Sequence, residues 1–237
     1  MHLKMISLCQ NEDEKYNYPP IILSSDYNSS YNFAYPLSYN LALDCERIVY
    51  KLKEYDIQSD VCNQLNVTFI NGSGLLKAGL SDYVAYNRKN MRYVNVPLCS
   101  DDFNSLDDNG KRKVLIYKIL EALNTVLDEK YNHLVKEICD EVYQHSDETE
   151  CVYKNKITKR FNIEVRFKSS LNGYSAILYV IDCSFNAEFR YVLFENGSFG
   201  DLEYRINTIS IKGNTCVINP KSSERFNDEP MKIEIGM

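Results

Sequence analysis

Histidine is the side chain best suited to moving a proton near neutral pH, and this chain holds three: His2, His133 and His145. Glu129, His133 and Glu137 follow one another at steps of four, and Glu141 and His145 repeat the step. On a helix that spacing stacks side chains on one face, where adjacent turns can present metal ligands together. No second cluster supplies the remaining ligands, and the helical spacings His-Glu-x-x-His and Glu-x-x-His are both missing. The row therefore predicts a solvated helix face, with no metal and no cofactor. An enzymatic alternative requires a hydrolase or transferase site assembled from distant loops, with His133 or His145 beside a cysteine or carboxylate in a pocket.

Three other groups carry chemical meaning. Asn71-Gly72-Ser73-Gly74 is small enough for backbone amides to approach a phosphate, but Lys77 stands where a dinucleotide fingerprint needs its third glycine, so a turn is expected. The acid pairs Asp101-Asp102 and Asp107-Asp108 lack calcium-loop spacing and suit helix capping. Glu164/Arg166, Glu188/Arg190 and Glu203/Arg205 repeat Glu-x-Arg in period-2 stretches. They predict cross-strand charge ladders on an outward sheet face, either plain surface polarity or a docking surface.

The charge balance is uneven. Net charge is −6, and residues 1–150 hold 15 Lys and Arg against 23 Asp and Glu, while residues 151–237 hold 12 against 10. Such a chain is not built to coat nucleic acid, which needs a basic surface. The acids gather in residues 128–150, and an acidic face attracts a basic partner and speeds its association. Nineteen tyrosines favour adaptable protein contacts or reflect AT-rich coding.

The eight cysteines form no Cys-x-x-Cys, several sit inside apolar runs, and the N-terminal apolar run is short and followed at once by acids. Reduced thiols and a cytoplasmic location are expected. No apolar run approaches the ~18 residues of a membrane helix.

The elements that would position these residues read as α+β. Residues 10–38 are polar and tyrosine-rich, a long loop in which Ile21, Ile22 and Leu23 could form a strand. An N-terminal amphipathic helix is predicted over 41–55, with Leu41, Cys45, Ile48, Val49, Leu52 and Tyr55 inward and Asp44, Glu46, Arg47, Lys51 and Lys53 outward. A strand over 65–70 and a hairpin of 83–87 with 91–96 around Arg88-Lys89-Asn90 follow, with Pro97 ending the second strand or marking an edge. A long central helix opens at Asp107 and reaches about His145. Unbroken it would run ~50 Å, so a break is expected near 128–132.

From Lys156 the pattern turns to period 2, predicting an antiparallel β-meander of five or six strands: 161–167, 174–183, 187–195, 202–211, 216–219 and 231–235. Asn172-Gly173 and Asn196-Gly197 signal hairpins, and 174–183 is apolar enough to be buried on both faces. The organisation is thus an α-rich region 1–150 with a small hairpin and a meander 151–237, or one domain in which the long helix packs across the sheet.

The function expected is a non-enzymatic protein-binding module, an immunity-type inhibitor that neutralises a basic partner toxin. Its contact surface would comprise Glu137, Asp140, Glu141, Tyr143, Asp147 and Glu148, with Tyr143 as aromatic anchor. A structural, self-associating subunit using an exposed sheet face is a third possibility.

Overall fold

A computed structural model describes residues 1–10, 39–70, 77–81, 90–222 and 229–236. The expected loop of 10–38 beyond Gln10, the Asn71–Gly74 turn, and the 83–87 strand with its Arg88-Lys89 turn lie outside the described residues. The chain divides into two compact units, Met1–Ser146 and Asp147–Met237. It is α+β, with antiparallel sheets in the second unit.

The first unit is built on a sheet in the order β1-β2-β4-β3, comprising β1 (Met5–Gln10), β2 (Gln64–Ile70), β3 (Gly79–Leu80) and β4 (Met91–Pro97). β1, β2 and β4 run parallel, and only β3 is antiparallel, to β4. The described partners of β4 are β2, parallel, and the two-residue edge β3, antiparallel, and the expected first hairpin strand lies outside the described residues. Pro97 does end its strand, opposite Ile70. β2 buries Leu65, Val67 and Phe69. Helix α1 (Tyr39–Glu54) supplies the crossover that parallel pairing of β1 and β2 demands.

A short helix α2 (Ser100–Asn104) precedes α3 (Asp108–Val126). The Asp107 carboxylate caps α3, accepting from the Gly110 N–H at 2.7 Å. A Cβ at Gly110 would stand 2.9 Å from that carboxylate, which would have to shift to make room for it. The break in the long helix falls where expected. Leu127 is extended, and the Asp128 carboxylate accepts from the Lys130 N–H to start a 3-10 turn, Glu129–Tyr131, before α4 (Asn132–His145). Ile116, Ile119, Leu123, Ile138 and Val142 of the apolar stripe are buried.

The second unit carries β5 (Cys151–Ile157), β6 (Phe161–Ser170), β7 (Gly173–Asp182) and β8 (Ala187–Gly197), a four-stranded antiparallel meander whose middle strands β6 and β7 alternate buried and outward residues. Gly173 turns the β6–β7 hairpin at φ +120, with the Gly197 carbonyl only 2.5 Å from where a Cβ would stand. β7 is buried on one face only: Tyr174, Ala176, Leu178 and Val180 point to the core, whereas Ser175, Ile177, Tyr179 and Ile181 are half-exposed.

A correction concerns 202–211. Ser198 and Asp201 form a reciprocal capping box that starts helix α5 (Phe199–Arg205), so only Thr208–Lys212 is a strand, β9. Asn196, at φ 55, leads into that helix rather than into a hairpin. β9, β10 (Thr215–Asn219) and β11 (Met231–Glu234) make a separate three-stranded antiparallel sheet in the order β11-β10-β9. No described helix is long and apolar enough to cross a membrane.

Candidate functional site

The six residues of the expected acidic surface divide between the units, Glu137–Tyr143 on α4 and Asp147 and Glu148 in the second. Most are already engaged. Asp140 accepts from the Lys136 ammonium at 2.5 Å and the Tyr117 hydroxyl at 2.7 Å. The Lys136 ammonium, then the Tyr117 hydroxyl, hold its carboxyl below the ordinary range, and the same bond to Asp140 raises the Tyr117 phenol. Glu141 lies 2.8 Å from the Lys51 ammonium. Glu148 pairs with Lys168 at 2.5 Å, which lowers its carboxyl. Glu137, exposed, lies 3.5 Å from His133 Nδ1. Tyr143 is half-buried against the core, with the Arg112 and Lys113 cations over its ring. Lys136 reaches Asp140 by i,i+4 spacing on α4, Lys51 reaches Glu141 from α1, and Lys168 reaches Glu148 from β6.

His133 is 86% exposed and His145 is also exposed. Among the described residues no three His, Cys, Asp or Glu side chains gather closely enough to hold a metal. A depression of about 380 Å³ opens beside the end of β4, lined by Pro97, Lys77, Lys118 and Thr125, and neither histidine lines it. The seven described cysteines are free, and Cys45, Cys62, Cys139, Cys151 and Cys216 are buried. Burial raises the Cys45 and Cys62 thiols and pushes Cys139 up to about 12 and Cys216 up to about 11, the opposite of an activated nucleophile.

The face of α1 expected to be solvated carries a feature that periodicity missed. Asp44 and Arg47 are both 0% exposed, and Lys51 is buried too. The Asp44 carboxylate accepts from Arg47 Nη1 at 2.7 Å and from Arg112 Nε and Nη2 at 2.7 and 3.0 Å. Arg112 also donates to the carbonyls of Val142 and Tyr143 in the last turn of α4, sharing that of Val142 with the Ser146 N–H. The cluster ties α1, α3 and the end of α4 together inside the first unit.

The outward face of the β5–β8 sheet is the broadest arrangement of recognition chemistry. The strand register aligns Val152, Arg166, Ile177 and Val192 in one row and Asn155, Glu164, Tyr179 and Arg190 in the next. Arg166 bonds Glu164 at 2.7 Å, lies 3.6 Å from Glu150, and stacks 4.7 Å from the Tyr179 ring centre. Glu150 reaches across to Arg190 as well. The Tyr179 hydroxyl bonds Glu188, which raises its phenol. Val192 is 64% exposed and Ile177 and Ile181 are half-exposed. Two of the three Glu-x-Arg pairs thus lie on this face, linked through Glu150 and Tyr179 rather than charge to charge across neighbouring strands, whereas Glu203 and Arg205 lie on α5. Searches against protein-family models, curated proteins and solved structures find no match.

Proposed function

We propose that this chain is a protein-binding module that docks its partner on the outward face of the β5–β8 sheet. The observation that carries the reading is the row Ile177–Val192, with Tyr179 beside it, framed by Glu164, Arg166, Glu188 and Arg190. Apolar and aromatic side chains ringed by charges resemble the centre and rim of a protein interface. The ladder holds its own cations and anions in place, so a partner meets ordered side chains and little entropy is lost on docking. Rigid Tyr and Arg side chains are also favoured anchors.

The finer form of this proposal is an immunity-type inhibitor of a basic toxin. Its support is the net charge of −6 and the outward placement of Glu137 and Glu148. In that form Asp140 and Glu141 exchange Lys136 and Lys51 for cations of the partner.

Capture of a partner by immobilised chain, repeated with Ile177→Asp and with Glu137→Lys/Glu148→Lys, tests both forms. Loss of capture with Ile177→Asp, in protein that still melts cooperatively, is expected. Capture that survives Ile177→Asp but fails in the charge-reversed variant and at high salt transfers the interface to the acidic residues. Capture indifferent to both variants overturns the proposal.

A further inference from the structure

β8 is the outer strand of its sheet; among the described residues β7 is its one hydrogen-bonded neighbour. At eleven residues it is long for an edge, and an edge strand leaves alternate N–H and C=O groups ready to template another strand. The side chains along it restrict what that strand can be.

We propose that β8 pairs antiparallel with β8 of a second copy of this chain, about a two-fold axis at Phe189. A two-fold axis sets residue i opposite j and j opposite i, and paired residues must share a face of the sheet. The regular part of β8 is 187–192, because its register with β7 shifts between Val192 and Phe194. Its outward residues are Glu188, Arg190 and Val192. An axis at Glu188 or at Arg190 sets like charges face to face. An axis at Tyr191 sets Arg190 opposite Val192, stranding the charge. An axis at Phe189 sets Glu188 opposite Arg190 of the second copy, twice over, and opposite charges directly across a strand pair stabilise it.

Before Ala187 the chain leaves the strand, with Asn186 at φ 50, so the regular register ends there and Val192 meets the turn between β7 and β8 of the second copy. Phe185 and Val192 are 75% and 64% exposed. Both therefore lie near the ends of the seam in the one register that also matches the charges. Arg190 already bonds Glu150, and its guanidinium has donors to spare for a second carboxylate. Six regular residues make a short seam, so association is weak and concentration-dependent.

Sedimentation velocity of the full chain, from micromolar to about 100 µM, tests the pairing. The wild type is expected to move towards twice the monomer mass as concentration rises. E188R places cations opposite Arg190 and is expected to stay monomeric; R190E does the same with anions. The double swap E188R/R190E restores opposite pairs and is expected to dimerise again, a recovery that mere loss of folding cannot produce. F185S is expected to weaken association several-fold with the thermal melt unchanged. Ile177→Asp, on β7, leaves the pairing intact, so this inference and the docking face fail separately. A wild type monomeric throughout, or a dimer that survives both single swaps, overturns the proposal.

Discussion

Asp44 and Glu164 each hold arginine carboxylate pairs, one inside α1 of the first unit and the other on the meander of the second, yet they occupy opposite energetic regimes. Asp44, Arg47 and Arg112 meet almost without water: Asp44 and Arg47 are fully buried, and the carboxylate accepts three guanidinium hydrogen bonds. Glu164, Arg166, Glu150 and Arg190 pair where solvent still reaches their side chains. Buried ion pairs owe their stability to complete mutual satisfaction, because each charge left alone carries the cost of dehydration. Exposed pairs lose little when broken, because water replaces the partner. The first cluster fixes how three helices sit, whereas the second loses little when one of its pairs is broken.

The comparison breaks most visibly at Asp44. Asp44→Ala leaves Arg47 and Arg112 facing each other without their anion, and a loss of about 3–5 kcal/mol is expected, read by urea denaturation. Asp44→Leu combined with Arg47→Met removes both buried charges and is expected to cost less than Asp44→Ala alone, since Arg112 keeps the carbonyls of Val142 and Tyr143. A double variant as unstable as the single one would mean that the charges are not the source of the loss.

An intermediate case sharpens the contrast by pH. Asp182, at the end of β7, accepts from Arg160 Nε and Nη2, and this bond holds its carboxyl below the ordinary range. Its folded value lies below its unfolded one, so its contribution is complete above the unfolded value near ~3.9 and fades as pH falls through the folded value. Arg160→Gln is expected to shift acid unfolding to higher pH, measured by circular dichroism through the acid range. An acid limb unchanged by Arg160→Gln would separate Asp182 from the stability of the sheet.

How much of this was legible in the sequence depends on the range of the interaction. The apolar face of α1, the Asp107 cap, the break at Asp128 and the alternation of β6 are local, and local spacing predicts them. The second buried face of α1 is not: periodicity registers apolar side chains, whereas Asp44 and Arg47 are buried because α1 packs on β1 and also on α4. Parallel pairing of β1, β2 and β4 leaves no trace within any one strand. α5 had a signal that was passed over, Ser198 three residues before Asp201, masked by the strand-like alternation of 202–211. For the candidate sites, Glu-x-Arg spacing reached the sheet face and i,i+4 spacing holds Lys136 beside Asp140, but Lys51 on Glu141 and Lys168 on Glu148 come from packing that charge counts do not contain.

The smallest effect is expected at the surface ladder, and its smallness is the informative result. Glu164→Gln removes the carboxylate that accepts from Arg166, yet Arg166 keeps the neighbouring Glu150 and the Tyr179 ring. Stability is expected to change by less than about 1 kcal/mol, and less still in high salt, where exposed pairs are screened. Thermal melts at low and high ionic strength measure both. If Glu164→Gln instead costs as much as Asp44→Ala, the ladder is a structural strut, its side chains are committed to the fold, and the face they form loses its claim as a place where another protein docks.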